Sequence, residues 1–319
     1  MKGLDLIGRI RRTIACRMRK HYYKQWIKIK PQDFYDNPER VTALWYGSRE
    51  GRMPNFKQPI DFNERLMALN LAAYYDQSQW PIRVTCADKY AVRQYVKDKG
   101  LGDILNECYG VFDSIDEVDF GKLPNQFVLK TTQGSGNNYF CLDKTKLDVK
   151  SLKDKVKDWL QPDEYGLTTG EWHYTMIKPR FIIEKYLYMP GEDISLIDYK
   201  FHCIHGYVYG EYVCYDRDHY QSHIVNYDHY DADWNLTEGV IPAFHPTQRP
   251  IPKPKHFEEM KKIAEKLSEG LEYVRVDLYE VDNKIVFGEM TFTPMGNYLP
   301  YTHAQLVDME QYYERTLNK

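Results

Sequence analysis

Two short segments near the end of the chain constrain its fold more than any other feature. Residues 275–279 (RVDLY) and 287–291 (FGEMT) each alternate polar with apolar side chains. Successive side chains of a strand point to opposite faces, so each segment predicts a strand whose polar side chains share one face. The turn residues 282–284 (DNK) between them predict a β-hairpin.

The length of that turn decides which residues face each other across the hairpin. If residues 282–283 alone form the turn, Asp277 lies opposite Gly288. If Lys284 also belongs to the loop, Asp277 lies opposite Glu289, because a shift of one residue changes every pair. We expect the three-residue loop.

The expected register brings two carboxylates together, which is costly without a cation. Asp277 and Glu289 then suit Mg²⁺, a hard ion that prefers carboxylate and phosphate oxygens. Arg275, opposite Thr291, supplies a permanent positive charge suited to an anionic transition state. The alternative is a surface hairpin in which Arg275 only neutralises the acids.

Charge is distributed unevenly along the 319 residues. The net charge is −3, yet residues 1–30 carry ten Lys or Arg and the single acid Asp5, which leaves −12 on the rest. An acidic body argues against a nucleic-acid partner and indicates one basic arm.

The basic arm has the pattern of an amphipathic helix. Its apolar residues recur at helical spacing between arginines, which is typical of a helix on an anionic membrane surface or on a partner protein. Packing on the protein's own body is the alternative. The arm has no uninterrupted apolar run of signal-peptide or membrane-spanning length. The apolar residues are Leu6, Ile7, Ile10, Ile14 and Met18.

The cysteines and histidines form no recognisable metal or disulfide pattern. The six cysteines are scattered without a CxxC pair, which favours a reduced, cytoplasmic compartment. His202, His205, His219, His223 and His229 lack the spacing typical of a zinc site.

Strand and helix patterns alternate along the chain and predict an α+β protein with antiparallel sheets. A helix capped by Asp61 or Asn63 is predicted, with Phe62, Leu66, Leu69 and Ala73 on one face. Further helices are predicted from Thr85 to Gly100 with Lys89 in the first turn, around Leu152, Val156 and Trp159, and over 256–267. Strands are predicted over 127–130, 139–142, 181–187, 199–203 and 207–215, the last two joined by a turn at 205–206.

A glycine-rich connection joins the strands 127–130 and 139–142. Gly134, Ser135 and Gly136 can expose backbone N–H groups to phosphate oxygens, and Lys130 ends the preceding strand where its ammonium could reach the same phosphates. No Walker or Rossmann motif is present.

The order of these segments resembles the ATP-grasp superfamily, and more closely its TupA-like branch from bacterial cell-surface polysaccharide and teichuronopeptide gene clusters. The resemblance covers Asp61 to Pro294. It is carried by residues 88–90 (DKY), 128–138 (VLKTTQGSGNN), 184–187 (EKYL), 198–201 (DYKF), 274–279 (VRVDLY) and 287–294 (FGEMTFTP).

The resemblance implies a role for each matching residue. Lys89 and Lys130 would contact ATP phosphates, the loop Gly134-Ser135-Gly136 would close over them, and Glu184, Lys185, Tyr186 and Leu187 would form the adenine hinge. Glu192 would meet the ribose. Lys200 and Arg275 would act at the phosphates and the reacting oxygens, and Asp277, Glu289 and Thr291 would hold Mg²⁺. Thr291 departs from the superfamily pattern, which has Asn there, and residues 294–298 lack its glycine-rich end.

The fold expected from this resemblance is ATP-grasp, with two α+β lobes whose antiparallel sheets clasp ATP. We predict a basic arm and linker over 1–60, a pre-grasp region over 61–126, a central lobe over 127–187 and a C-terminal lobe over 188–319.

The expected function is an ATP- and Mg²⁺-dependent carboxylate–amine ligase of surface-polysaccharide assembly that acts through an acyl phosphate. Its substrate would be an amino acid or uronic acid on a glycan or lipid-linked glycan, and the protein would be cytoplasmic, with its arm at the inner face of the plasma membrane. Two alternatives remain open: a kinase or other transferase acting on a glycan, and a nucleotide-binding, non-catalytic component.

Overall fold

A computed structural model describes residues 2–161, 164–188, 196–215, 226–237 and 251–317, with the side chains of residues 2–12 and 165 left out of the description. The helices are α1 (Lys2–Trp26), α2 (Pro31–Asp36), α3 (Pro38–Glu50), α4 (Phe62–Tyr75), α5 (Trp80–Ala87), α6 (Val92–Asp98), α7 (Val149–Trp159), α8 (Phe257–Ser268), the short α9 (Pro294–Asn297) and α10 (His303–Thr316). The strands are β1 (Cys108–Phe112), β2 (Phe127–Thr131), β3 (Asn138–Cys141), β4 (Phe181–Lys185), β5 (Asp198–Ile204), β6 (Tyr207–Tyr215), β7 (Asn226–Asp231), β8 (Tyr273–Val281) and β9 (Lys284–Thr291).

The strands form two sheets in which every described pair is antiparallel. The first has the order β1-β4-β2-β3, and the second has the order β7-β6-β5-β8-β9. Helices and antiparallel sheets alternate along the chain, and the predicted α+β class is confirmed.

The five-stranded sheet has one apolar and one polar face because its strands alternate. Val274, Val276 and Leu278 of β8 are fully buried in a core that also contains the apolar stripe of α8. That stripe consists of Met260, Ile263, Ala264 and Leu267, the residues that helical spacing predicted. The intervening residues of β8, among them Arg275 and Asp277, belong to the opposite face.

The four-stranded sheet has a core of its own. Leu129 and Ile183 lie opposite each other on β2 and β4, and both are fully buried with Leu152 and Val156 of α7. Each buried aliphatic side chain of this kind contributes about 1.5–3 kcal/mol relative to exposure. Because side chains alternate along a strand, burial of Leu129 and Ile183 on one face places Lys130 and Glu184 on the opposite face.

The chain divides into two compact units by its contacts. One contains residues 1–80, 163–175 and 293–311, and the other contains residues 81–162, 176–292 and 312–319, with both sheets in the second. In the first unit, Trp26 of α1 contacts Trp45 of α3, with ring centroids 4.6 Å apart. The sequence did not reveal α3 or α10, and the predicted domain boundaries stay predictions.

The prediction of one helix from Thr85 to Gly100 is wrong. The chain forms α5 and α6 instead, with Lys89 in the turn between them. The carboxylate of Asp88 accepts hydrogen bonds from the backbone N–H groups of Tyr90 and Ala91, at 2.7 and 3.0 Å. Such a short-range bond offers the backbone an alternative to the helix, and it ends α5 here.

The three-residue loop predicted for the β8–β9 hairpin is also wrong, although the pairing that it was meant to explain is present. Asp282 and Asn283, with φ of 50° and 58°, form a two-residue turn, and Lys284 pairs with Val281. A β-bulge between Asp277 and Leu278 then shifts the register by one residue, so Asp277 pairs with Glu289.

Candidate functional site

The polar face of the five-stranded sheet gathers side chains from three neighbouring strands. Lys200 on β5 pairs with Asp277 on β8, which pairs with Glu289 on β9. Arg275 pairs with Thr291 on the same face. The structure therefore brings together the catalytic and metal residues predicted from the sequence.

Arg275 is the centre of this cluster and is only 6% exposed. Its Nε and Nη2 donate to the two oxygens of Asp277 at 2.6 and 2.7 Å. Its Nη2 also donates to Glu289 Oε1 at 2.8 Å and to Thr291 Oγ1 at 3.1 Å. The planar guanidinium thus links the carboxylates of two strands.

Lys200 is buried between two acids. Its ammonium forms an ion pair with Asp198 at 2.6 Å and another with Asp277. Although burial disfavours its charge, these carboxylates hold the pKa of Lys200 well above its usual value. Lys200 is therefore a permanent cation at neutral pH.

The two predicted metal carboxylates differ in electrostatic environment. Burial opposes the charge of Glu289, but Arg275, Lys89 and Lys200 lower its pKa to about 2. Burial raises the pKa of Asp277 to about 6 against the opposing effect of Arg275 and Lys200. Glu289 is therefore the stronger acid of the two.

Lys89 connects the turn after α5 to the glycine-rich loop. Its ammonium donates to the carbonyl oxygen of Gly134 at 2.6 Å, and its backbone N–H donates to Thr132 O at 2.9 Å. Burial lowers the pKa of Lys89, while the charge of Glu289 raises it. An electrostatic interaction thus joins Lys89 to the cluster around Arg275.

The glycine-rich loop is open around its tip. Gly134 and Gly136 have φ of +63° and +88°, a region that glycine adopts without strain, and no atom lies within 4 Å of the position a Cβ would take at either one. Ser135 between them is exposed. Such a loop can approach a phosphate closely with its backbone.

Lys130 and Glu184 meet on the four-stranded sheet. The ammonium of Lys130 lies 3.2 Å from Glu184 Oε2, and Arg93 Nη1 lies 3.0 Å from Glu184 Oε1. Arg93 also donates to Asn106 O at 2.7 Å. Glu184, only 7% exposed, is therefore held between two cations at the start of the predicted adenine hinge.

The rest of the predicted hinge leaves the sheet at the end of β4. Lys185 is exposed, and Tyr186 and Leu187 are half-buried. The ring of Tyr186 stacks on that of Tyr188, with centroids 6.0 Å apart. Glu192, His219 and His223 lie outside the described residues.

The donor set around Arg275 fits Mg²⁺ in kind. Asp277, Glu289 and Thr291 present hard oxygen atoms, and Thr291 Oγ1 lies 3.1 Å from Glu289 Oε1. Among the described residues, no three His, Cys, Asp or Glu side chains gather as metal ligands. Magnesium characteristically completes such an incomplete set with substrate phosphates and water.

Sequence reasoning missed three residues of this site. Asp198 lies two residues before Lys200, so the alternation of strand faces could have placed it beside that lysine. Arg93 and Tyr212 reach the site from distant parts of the chain. Nothing in their local sequence indicates those contacts.

A sequence model of the TupA-like ATP-grasp family matches residues 69–310, which is more than half of the chain. The chain belongs to the TupA-like ATP-grasp family. This membership confirms the family resemblance. A search of curated proteins found no significant match.

Solved ATP-grasp structures are distant from this family member. D-alanine–D-alanine ligase from Bacillus anthracis is 16% identical with a TM-score of 0.42, over 73% of this chain and 66% of that ligase. The ATP-grasp ligase PsnB, in complex with a phosphomimetic variant of its minimal precursor, Mg and ADP, is 12% identical with a TM-score of 0.42, over 88% and 72%. This chain thus spans about two thirds of the length of the first ligase.

Proposed function

We propose that this ATP-grasp protein is an ATP- and Mg²⁺-dependent ligase that joins a carboxylate to an amine. The observation that carries the proposal is the Arg275 cluster, in which Asp277 faces Glu289 on adjacent strands with Lys200 beside them. Lys89 interacts electrostatically with the same cluster while bonding to the glycine-rich loop. Family membership supports a nucleotide as the ligand.

A carboxylate does not react directly with an amine because it has no good leaving group. Phosphorylation by ATP supplies one. Transfer of the γ-phosphoryl group of ATP to the carboxylate forms an acyl phosphate and ADP. The amine then attacks the acyl carbon, the C–O bond to phosphate breaks, and the amine gives up a proton. Charge develops on phosphoryl and acyl oxygens in both steps, so fixed cations favour both.

The side chains divide this work. Lys89 and Lys130 would bind the phosphates, Gly134 to Gly136 would cover them, and Arg275 would stabilise the reacting oxygens. Asp277, Glu289 and Thr291 would hold Mg²⁺, which supplies neutralising charge when bound. Lys200 forms an ion pair with Asp277 that favours the charged carboxylate, and we assign Lys200 a role at the phosphates.

The adenine and ribose contacts complete the nucleotide site. The hinge Glu184 to Leu187 would receive the adenine and Glu192 the ribose. We further propose an amino-acid or uronic-acid substrate on a glycan or lipid-linked glycan of the bacterial surface. The basic arm would hold the protein at an anionic membrane surface or on a partner protein.

One observation favours a second candidate, a nucleotide-binding protein without turnover. Thr291 stands where the superfamily has Asn, and its hydroxyl already bonds with Arg275 and Glu289. A neutral hydroxyl is a weaker ligand than a carboxylate or amide oxygen. A glycan kinase or other transferase would use the same nucleotide site with a hydroxyl acceptor.

Calorimetry with MgADP tests the nucleotide site. We expect Lys130→Ala to weaken binding at least tenfold, because a charge-assisted hydrogen bond contributes about 1.5–3 kcal/mol. Lys153→Ala is the matched control, since that lysine pairs with Asp116 on the surface, and it should bind as the wild type does. Equal binding by all three proteins, or none by the wild type, would contradict the proposal.

Phosphate release separates the reaction types. A ligase releases phosphate from ATP only when both a carboxylate and an amine are supplied, and Glu289→Gln should abolish this release. Transfer of phosphate to a glycan hydroxyl would identify the transferase instead. Binding without turnover for every acceptor would identify the non-catalytic candidate.

A further inference from the structure

Tyr212 on β6 is a neutral hydrogen-bond partner of Arg275, as is Thr291. Tyr212 lies opposite Lys200 on the polar face, and its hydroxyl accepts a hydrogen bond from Arg275 Nη1 at 2.9 Å. Arg275 Nε and Nη2 instead bond to the carboxylates of Asp277 and Glu289. The guanidinium is therefore fixed on one side by acids and on the other by a phenol.

Neighbouring aromatic rings restrain Tyr212 in this position. Its ring lies between those of His202 and His229, with centroids 5.4 and 5.5 Å away, and it is only 2% exposed. His202 is itself held by a 2.8 Å hydrogen bond between its Nδ1 and the hydroxyl of Tyr273. This packing holds the Tyr212 ring where its hydroxyl meets Arg275.

The acids that now hold Arg275 are the residues expected to hold Mg²⁺. A carboxylate oxygen that ligates a metal binds an adjacent guanidinium less strongly, because the two cations compete for the same charge. The Tyr212 hydroxyl is not among the proposed metal ligands, so its bond to Arg275 does not compete with the cation.

We propose that Tyr212 is a positioning residue, which keeps the guanidinium of Arg275 in place when Asp277 and Glu289 engage a divalent cation. This inference rests on the proposed function for its catalytic consequence. The anchoring itself can be measured without nucleotide or substrate, with Mg²⁺ as the only ligand.

Tyr212→Phe removes the hydroxyl but keeps the ring between the two histidines. Tyr215→Phe is the matched control on the same strand, since the Tyr215 hydroxyl bonds to Asp228 Oδ2 at 3.2 Å and its ring belongs to the apolar core instead of the Arg275 cluster. Near-ultraviolet circular dichroism verifies that both variants are folded.

The first readout is the Nε–H signal of Arg275 in nitrogen-15 NMR, assigned by its loss in Arg275→Lys. With Mg²⁺ present, we expect Tyr212→Phe to shift this signal and to accelerate its hydrogen exchange at least tenfold, with Tyr215→Phe like the wild type. An unchanged signal in Tyr212→Phe, or an equal change in both variants, would overturn the anchoring.

The second readout is turnover. We expect Tyr212→Phe to lower kcat about tenfold or more, as loss of a supporting partner commonly does. Its Kd for MgADP should stay within twofold of the wild type, because Arg275 is assigned to the reacting oxygens and not to the phosphates of ADP. If the wild type turns over and Tyr212→Phe has the same kcat, the catalytic role is refuted. If the wild type shows no turnover, the proposed function is refuted, and the NMR result alone decides whether Tyr212 anchors Arg275.

Discussion

Glu211 lies on the apolar face of β6, whereas its neighbour Tyr212 lies on the polar face. Glu211 pairs with Phe201 on β5 and with Tyr230 on β7, and both of these residues belong to the apolar core. Glu211 is 2% exposed, and neither carboxylate oxygen has a hydrogen-bond partner among the described residues. Burial, reinforced by the charge of Asp231, raises the pKa of Glu211 to about 9.

This raised pKa predicts a pH-dependent loss of stability. Between the usual carboxyl value of 4.5 and about 9, folded Glu211 keeps a proton that the unfolded chain releases. The free energy of unfolding therefore falls as pH rises through this window and becomes constant above it. We expect the Tm of the wild type to fall more from pH 5 to pH 8 than the Tm of Glu211→Gln.

Differential scanning calorimetry at the two pH values measures this difference. Glu259→Gln on the exposed side of α8 should track the wild type. Parallel pH profiles for the wild type and Glu211→Gln would show that Glu211 is ionised in the folded protein.

At the scale of the element, the β8–β9 hairpin depends on its bulge. Gly288 is the extra residue on β9, and a Cβ there would lie 2.9 Å from the carbonyl oxygen of Asp277. The bulge places Glu289 opposite Asp277 although the turn has two residues. Without it, the carboxylate of Glu289 would point to the other face.

Gly288→Ala is therefore expected to disturb both stability and the site. The added methyl group meets rigid backbone, and overpacking of this kind costs about 1–3 kcal/mol. We expect a lower free energy of unfolding in urea and weaker MgADP binding by calorimetry.

Gly102→Ala is the matched control, because a Cβ at Gly102 meets only Lys97 Cγ, at an ordinary 3.5 Å. It should leave nucleotide binding unchanged. Gly288→Ala with wild-type stability and binding would show that the bulge is not needed for the site.

At the scale of the whole molecule, the basic arm contrasts with an acidic remainder. The arm belongs to α1, whose C-terminal part packs on α3 through Trp26 and Trp45. Ile14 is 54% exposed, so part of the apolar stripe predicted for the arm is not covered. No described helix combines the length and the apolar character needed to cross a bilayer.

We expect the full chain to co-sediment with vesicles containing phosphatidylserine at low salt and to be released by higher salt. Each Lys or Arg near an anionic surface contributes about 1 kcal/mol. Arg9, Arg11 and Arg12 changed together to Gln should weaken this binding, whereas the same change at the exposed Lys150, Lys155 and Lys157 of α7 should not.

Equal sedimentation of the two triple variants would contradict a role for the arm at the membrane. Failure of the wild type to bind vesicles would favour a partner protein or packing of the arm on the protein's own body.

Local patterns in the sequence were sufficient for much of the fold. Strand patterns identified β2 to β6, β8 and β9 but not β1 or β7, and helical spacing identified α4, α7 and α8, because these patterns reflect which side of an element is buried. The order of the polar motifs indicated the family, and the match over residues 69–310 confirmed it. The pairing of Asp277 with Glu289 was predicted as well.

Tertiary structure decided the features that depend on contacts between distant residues. The bulge at Gly288, rather than a longer turn, sets the hairpin register, and the side-chain bonds of Asp88 split one predicted helix into two. Arg93 and Tyr212 reach Glu184 and Arg275 from 91 and 63 residues away. Sequence by itself determined which faces are apolar and which motifs are present, since both are local; only the packed sheets decided which cation holds which acid, because ion pairing depends on proximity in space.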